Sequence, residues 1–355
     1  MHDSIAQRGG AERVLLALIK SFPNADIMTS VYKPSKTFPE FKNMKIQEIL
    51  PKIFRNIPLP FLIVLMPYLF RIRKYCNYDV IIASSTIAAH NASYRHKYVI
   101  VYMHNTPRWL YQIQDFEKNL NCFFKYFARI IRKLSIKADY QAASKVAYFF
   151  TNSVVTKRRV EEHYNRLGEV LYPPISLDKF EKYFPSNSGQ KYLLNISRPR
   201  AYKNVETVVE VALMLNERLV LIGADTKYEN YGKSGQICVF TEVSDEDLVT
   251  FYSKAKLLLC AAHEDLGLTP IEANYFGVPV VAPAAGGYLE TVIDRKTGIL
   301  AKSESIPDLS EAVKLALNQS FNYIDFQDNF SKFNFENFSE RIRQQVNNVQ
   351  GLKGK

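Results

Sequence analysis

Two carboxylates, Glu264 and Glu272, lie eight residues apart across a turn that leads into Pro270. Because its missing N–H costs nothing there, proline fits the first turn of a helix. The spacing therefore predicts Glu272 in a first helical turn and Glu264 in the loop before it. A glutamate at a helix start is also favourable for electrostatic reasons alone, so the pair by itself is a weak signal. If the pair is part of a binding site, its carboxylates would accept hydrogen bonds from neutral hydroxyls, and the free N–H groups at the helix start would bind an anion. The pattern then predicts a sugar-like, phosphorylated ligand beside Gly267, Leu268 and Thr269.

Two cations follow a second apolar run, Tyr192–Ile196, and precede a segment with helical periodicity. Arg198 can hold two phosphate oxygens at once, and Lys203 supplies a point charge. Together they would form an electropositive cradle at a helix start, although a solvated basic loop has the same composition. The sequence contains no G-x4-G-K-[ST] motif, so the cradle is not a P-loop.

Further candidates come from the first half of the chain. Gly9 and Gly10 stand where a loop enters a predicted helix, and they leave room for a ligand to approach the backbone. His104 directly follows the apolar run Tyr98–Met103. Ligands of parallel sheets gather at the carboxyl ends of strands, so His104 is a candidate to face a ligand, although many such histidines are ordinary loop residues.

Short apolar or β-branched runs alternate with helical segments throughout the chain, which predicts an α/β fold with parallel, doubly wound sheets. The 355 residues, 47% of them hydrophobic, are enough for two cores. Pro173 and Pro174 stiffen the exit from the first domain. The runs predicted as strands are 26–32, 78–85, 98–103, 148–153, 192–196, 219–224, 237–240, 256–261 and 280–282.

The whole string from Glu264 onwards is more specific than its parts: E-D-x-G-x-T-P-x-E-A, then G-x-P-V-V-A, then Gly286-Gly287-x-x-Glu290. It resembles the donor-binding signature of glycosyltransferase family 4, a family of retaining enzymes with the GT-B fold. The resemblance runs from Gly9 to about Gly298 and is strongest to the bacterial mannosyltransferase-like branch that builds O-antigen and other surface polysaccharides. It implies a retaining glycosyltransferase that moves a hexose, mannose from GDP-mannose, to a lipid-linked or growing saccharide acceptor.

The resemblance also implies an architecture of two Rossmann-like domains that face each other across a cleft. Residues 1–174 would bind the acceptor, with a terminal helix at 334–350 packed back on them, and residues 175–333 would bind the nucleotide sugar. The family places an apolar strand before the Gly-Gly loop, but here His2 and Asp3 directly follow Met1. We therefore expect the first strand to be missing and strand edges to be exposed. A start site assigned too late and a truncated, impaired enzyme would both explain this.

Residue roles follow from the same resemblance. Arg198 and Lys203, which match the Arg-x4-Lys spacing of the family, would bind the diphosphate. Glu264 and His104, the latter in a segment with one extra residue, would act on the transferred sugar as the catalytic residues, and Glu272 would accept from the ribose hydroxyls. The remaining binding residues implied are Gly9, Gly10, Gly267, Leu268 and Thr269. No metal and no cofactor besides the nucleotide-sugar substrate are expected.

The net charge of +11 is concentrated in the first half, where residues 1–175 carry 26 Lys and Arg against 12 Asp and Glu. This asymmetry indicates an anionic partner such as a membrane surface, a lipid diphosphate or nucleic acid, or simply a solubilising surface. Basic segments with aromatic residues, 57–74 and 122–134, could lie on a membrane or pack on their own sheet. The lack of a groove-reading motif disfavours nucleic acid.

The sequence shows no transmembrane span or signal peptide, and its four cysteines have no metal-binding spacing. We therefore expect a cytoplasmic protein, peripheral on the inner face of the plasma membrane. The main alternative to an enzyme is a non-catalytic carbohydrate-binding or nucleotide-sugar-binding protein, which the expected loss of a strand makes credible.

Overall fold

A computed structural model of the chain describes residues 1–58, 62–112, 122–175, 191–197 and 203–351, without the side chains of 122–131. The chain forms two compact units. Met1–Pro174 together with Phe335–Lys355 form the first unit, and Ile175–Asn334 form the second. None of the helices within these described ranges is long and apolar enough to cross a membrane.

The first unit contains two groups of parallel strands. Strands β1 (Ile27–Thr29) and β2 (Ile46–Glu48) pair with each other. Strands β3 (Ile81–Ser85), β4 (Val99–Met103), β5 (Tyr148–Thr151) and β6 (Glu169–Val170) form a sheet in that order. The α-helices are Gly10–Ser21, Met66–Ile72, Arg108–Tyr111, Cys122–Ser144, Val154–Tyr164 and Phe335–Gly351, and 3-10 helices span Pro39–Asn43, Lys52–Asn56 and Ala89–Tyr94.

The residues from Met1 to Ile5 lie between β1 and β3. His2 forms parallel bridges with both Thr29 and Ser84. Its N–H donates to the Met28 carbonyl at 2.9 Å, and the Ser84 N–H donates to the Met1 carbonyl at the same distance. These few residues take the central position between β1 and β3. A cavity of about 640 Å³ lies at the Met1 end, lined in part by β1 and β3.

The terminal helix Phe335–Gly351 packs on the sheet of β3 to β6. Phe338 and Ile342 are fully buried in one apolar cluster with Ile100 and Tyr102 of β4. The Tyr102 and Phe338 rings meet edge to face with centroids 5.6 Å apart. Burial of this apolar face accounts for the docking of the helix, since area removed from water is its main stabilising contribution.

The second unit is a six-stranded parallel sheet. Its strands are β7 (Tyr192–Ile196), β8 (Leu219–Ile222), β9 (Ile237–Phe240), β10 (Ala255–Leu259), β11 (Val280–Pro283) and β12 (Gly298–Ala301). Their spatial order is β12-β11-β10-β7-β8-β9, so the direction of winding reverses between β7 and β10. Helices Val205–Met214, Asp245–Ser253, Thr269–Tyr275, Tyr288–Thr291, Ile306–Leu317 and Tyr323–Phe330 and 3-10 helices Thr226–Asn230 and Ser331–Phe333 complete it.

The predicted α/β fold with parallel sheets is confirmed. Long runs such as Val99–Met103 are buried at every position, which is why they are recognisable as strands. The short strands β2, β6 and β12 were not predicted. β2 and β6 have three and two residues, which carry too little pattern to separate a strand from a loop.

Asp3 fixes the start of the 3-10 helix Ala89–Tyr94. Its carboxylate accepts the backbone N–H groups of Thr86, Ile87, Ala88 and Ala89 at 2.6 to 2.9 Å. The Asp3 side chain is buried. One carboxylate therefore satisfies four donors that would otherwise be unpaired away from water.

We expect Asp3→Asn to lower the free energy of unfolding by about 3 kcal/mol, because an amide offers one acceptor oxygen where the carboxylate offers two charged ones. Urea denaturation of the whole chain would measure it. Asp26→Asn is the matched control, since Asp26 is exposed and accepts one hydrogen bond, from the Tyr78 hydroxyl at 3.0 Å. Equal stability of the two variants would contradict this account.

Candidate functional site

The candidate site of the second unit lies where β7 and β10 run side by side. Leu194 of β7 is in register with Leu258 of β10, and both strands point the same way. Their carboxyl ends therefore lie at one edge of the sheet, with the loop after β7 next to the loop after β10. This is the point at which the strand order reverses, the usual ligand position in open α/β sheets.

Lys203 and Glu264 meet across these two loops. The Lys203 ammonium donates to Oε1 of Glu264, and the side chains are 16% and 22% exposed. Asn204, in a left-handed conformation with φ of 47°, donates from its side chain to the Ala261 carbonyl at 3.0 Å. That bond joins the loops beside the ion pair, so the backbone itself helps to hold both charges in place.

Glu272 lies in the first turn of the helix Thr269–Tyr275, as predicted, two residues after Pro270. It is buried, and its Oε2 accepts from the Tyr252 hydroxyl at 3.1 Å. Tyr252 stacks on Phe276 with ring centroids 5.1 Å apart. The apolar layer under the helix thus supports the carboxylate and limits the directions it can take.

Two glycines allow a third loop to press against the site. Gly287 donates its N–H to the Glu264 carbonyl at 2.9 Å. A Cβ on Gly287 would lie 2.2 Å from the Cα of Leu266, and one on Gly286 would lie 2.6 Å from the Glu264 carbonyl oxygen. The Gly-Gly pair of the motif is therefore required for backbone-to-backbone contact behind Glu264. Gly267, with φ of 77°, makes the turn that follows.

Cys260, the first residue after β10, lies in the same loop. Burial raises the pKa of its thiol to about 12. The thiol is therefore protonated and neutral at physiological pH, and it acts as a small packing group rather than as a nucleophile.

The candidate residues of the first unit lie at the carboxyl ends of β3 and β4. His104 follows β4, and its Nε2 is 2.8 Å from the Ser84 hydroxyl at the end of β3. Burial lowers the pKa of His104 to about 3, and the nearby His2 acts in the same direction. The imidazole is therefore neutral at physiological pH and can exchange hydrogen bonds with a hydroxyl without carrying charge.

Gly9 and Gly10 begin the helix Gly10–Ser21, with Gly9 as its N-cap. A Cβ on Gly9 would lie 2.5 Å from Oε2 of Glu12, whereas a Cβ on Gly10 would meet nothing within 4 Å. The carboxylate of Glu12 thus lies directly against Gly9. Contact of either residue with a ligand stays a prediction.

Two family models match this chain. The model of glycosyl transferases group 1 matches residues 178–336, and the model of Glycosyltransferase Family 4 matches residues 8–179. The chain belongs to glycosyltransferase family 4.

Curated relatives in family 4 include mannosyltransferases. The alpha-1,3/1,6-mannosyltransferase ALG2 of Mus musculus is 25% identical over 86% of this chain and 84% of its own length. The ALG2 of Rhizomucor pusillus is 26% identical over 49% of this chain, and that match spans 51% of the relative.

Solved structures share the GT-B fold. A sucrose-phosphate synthase from Thermosynechococcus elongatus superposes with a TM-score of 0.73, at 15% identity and 99% coverage of both chains. Anabaena HepE, solved in complex with UDP-glucose, has a TM-score of 0.67, at 16% identity and 98% coverage of both chains. At these identities the likeness concerns the fold.

Most of the predicted donor-binding residues lie together in the second unit: Lys203, Glu264, Gly267, Leu268, Thr269 and Glu272. Arg198 lies outside the described residues, while His104, Gly9 and Gly10 belong to the first unit. Tyr252 and Ser84 were missed. Ser84 could have been found, since it is the last residue but one of the predicted strand 78–85, and His104 follows the next predicted strand. Nothing in the sequence around Tyr252 signals its contact with Glu272.

We expect Gly287→Ala to destabilise the second unit by about 2 kcal/mol or more, because its Cβ would force the Leu266 backbone away from β11 and its loop. Thermal unfolding followed by circular dichroism would measure the loss. Gly10→Ala is the control, since it adds a methyl group in open space on a helix, where alanine is the better helix former. A Gly287→Ala protein as stable as the Gly10→Ala protein would show that the close contact is not required.

Proposed function

We propose that this family 4 chain is a retaining hexosyltransferase that moves mannose from GDP-mannose to a lipid-linked or growing saccharide acceptor. The observation that carries the proposal is the Lys203–Glu264 pair at the winding reversal of the second sheet. A cation and a carboxylate side by side match a ligand with a diphosphate next to a polyhydroxylated ring. The mannosyltransferase names of the curated relatives support the choice of sugar.

The second unit would bind the donor. Lys203 is paired with Glu264 here, and a bound diphosphate would compete for the ammonium and release Glu264 to accept from sugar hydroxyls. Glu272, held from below by Tyr252, would accept from the ribose hydroxyls. Arg198, two residues after β7 in the sequence, would add a second cation. This division gives each charged side chain one part of the nucleotide sugar.

The transfer step needs no covalent enzyme intermediate. An acceptor hydroxyl attacks the anomeric carbon on the face from which the leaving group departs, and a new C–O bond forms there. The bond between the anomeric carbon and the diphosphate oxygen breaks, and its electron pair stays on the diphosphate, which takes up the acceptor proton. Lys203 would stabilise the charge that develops on this leaving group. Because the acceptor attacks the face from which the leaving group departs, the configuration of the anomeric carbon is retained.

We also propose that the step is independent of a metal, because the cations of the donor site supply the positive charge. The sequence does contain one Asp-x-Asp, at Asp245–Asp247. It lies in the first turn of the helix Asp245–Ser253, where Asp247 and Ser244 form a capping box. Asp247 therefore has a structural task at the helix start. Turnover that survives excess EDTA would support metal independence, and loss of turnover restored by Mg²⁺ would contradict it.

An O-antigen or other surface-polysaccharide role requires access to a lipid-linked acceptor, and the first unit exposes apolar side chains suited to a membrane. Ile53, Tyr68 and Ile72 are 76%, 59% and 47% exposed. Lys52 and Lys74 are exposed beside them in the sequence. Apolar side chains flanked by cations favour the interface of an anionic bilayer. We propose that this surface holds the protein at the inner face of the plasma membrane.

We expect Lys203→Gln and Glu264→Gln each to lower kcat/KM for the donor by about 100-fold or more, because each removes a charge that acts on the reacting end of the substrate. The assay is release of nucleoside diphosphate with GDP-, UDP- and ADP-sugars. The matched control is Lys256→Gln, which breaks the ion pair of Lys256 with Glu217 at 2.6 Å in the same unit.

Three outcomes of that assay distinguish the alternatives. Activity with GDP-mannose that falls in the two site variants and persists in the control supports the proposal. A preference for another nucleotide sugar keeps the transferase and changes the donor. Stabilisation by nucleotide sugars in thermal shift without any turnover would instead favour the binding-protein alternative.

We expect the protein to float with vesicles that contain an anionic phospholipid and to stay in solution with purely zwitterionic vesicles. Replacing Ile53, Tyr68 and Ile72 together by serine should reduce flotation about tenfold or more, since each buried apolar side chain contributes on the order of 1 kcal/mol or more. Replacing exposed Leu289 and Leu315 of the second unit by serine is the control. Equal flotation of both variants would contradict the proposed surface.

A further inference from the structure

The hydroxyl of Ser84 lies between two histidine rings of the first unit. Its Oγ is 3.0 Å from Nδ1 of His2 and 2.8 Å from Nε2 of His104. Ser84 is fully buried and His2 almost so. Away from water, a hydrogen bond between such groups fixes orientation strongly, because the alternative is an unpaired polar atom.

Three separate segments hold this chain of groups. His2 is bridged by its backbone to both β1 and β3. Ser84 is the fourth residue of β3, and His104 follows β4, with its N–H donating to the Ser85 carbonyl at 2.9 Å. The Tyr102 and His104 rings lie with centroids 5.2 Å apart, which limits rotation of His104. The network is therefore built on strands and not on a mobile loop.

The protons can be placed because both rings are neutral. Burial lowers the pKa of His2 and that of His104 to about 3. A neutral imidazole has one N–H, and a hydroxyl has one proton, so Ser84 must accept from one ring and donate to the other. The Ser84 backbone also acts on the His2 ring in the direction that raises its pKa, as an acceptor that faces a ring N–H does. Because the Ser84 N–H already donates to Met1, the carbonyl is the acceptor there.

A carbonyl can only accept, so the nitrogen of His2 that faces Ser84, Nδ1, carries the proton. Ser84 then accepts from His2 and donates to Nε2 of His104. His104 must consequently carry its own proton on Nδ1.

We propose that Ser84, set by His2, is a positioning residue that holds His104 as the Nδ1–H tautomer and so makes Nδ1 a hydrogen-bond donor to a hydroxyl oxygen of the transferred sugar. The proposal rests on the proposed function for the contact of His104 with the sugar. It goes further by assigning the direction of that hydrogen bond and by giving a task to His2 and Ser84. In this role His104 donates a hydrogen bond and transfers no proton.

The tautomer can be measured without reference to activity. Long-range ¹H–¹⁵N spectra of the whole protein, labelled on its six histidines, separate the two tautomers of each ring, and His104→Ala assigns the signal. We expect wild-type His104 to be protonated on Nδ1. Ser84→Ala should give a mixture of tautomers, and Ser84→Thr, which keeps the hydroxyl on a strand, should restore the wild-type form.

Steady-state kinetics then test whether Ser84 positions His104 for the transfer. Ser84→Ala should lower kcat about tenfold with little change in KM for the donor, the size expected for one buried hydrogen bond. Ser84→Thr should recover most of that loss. Ser93→Ala is the control for folding, because Ser93 is also buried and donates to the Ala142 carbonyl at 2.7 Å.

The outcomes separate this proposal from the function on which it rests. Wild-type His104 protonated on Nε2, or a tautomer and kcat that Ser84→Ala leaves unchanged, would overturn the positioning role. A tautomer shift in Ser84→Ala together with full turnover in His104→Ala would instead show that the network exists and that His104 has no part in the transfer. Loss of kcat equal in Ser93→Ala and Ser84→Ala would reduce Ser84 to a structural residue.

Discussion

The candidate donor site depends on one ion pair between residues 61 positions apart, Lys203 and Glu264. The pair exists because β7 and β10 are neighbours although two other strands separate them in sequence. Parallel neighbours end at the same edge, so two loops with no sequence relation become one surface. Each partner is about four-fifths buried, which makes the charges expensive to leave unpaired and favours a ligand that pairs with both.

The sequence predicted most of the second unit because its signals are local. Pro270 and the glycine at 277 mark the ends of one helix, and buried parallel strands appear as continuous apolar runs. Contacts between distant segments could not be predicted in this way. The hydrogen bond between Tyr252 and Glu272 depends on how the helix that carries Tyr252 packs against the sheet. The reason for Gly286 and Gly287, contact with the backbone at 264–266, becomes visible only in the structure.

The first unit shows how few residues can fill a central place in a parallel sheet. Met1 to Ile5, directly before the Gly-Gly loop, bridge β1 and β3. Asp3 compensates for the short pairing by accepting four backbone N–H groups at the end of β3. One charged acceptor therefore ties the segment before the Gly-Gly loop to the chain that follows β3.

The two units differ in the kind of polar group they place at their strand ends. In the second unit these are charged and partly exposed, as Lys203 and Glu264 are. In the first they are neutral: a buried serine hydroxyl lies between the imidazoles of His2 and His104, which stay uncharged at physiological pH. Charge suits a diphosphate whose negative charge grows during transfer, whereas neutral donors suit hydroxyl groups whose charge does not change. The excess of lysine and arginine in the first half of the chain therefore contributes no charge to this network.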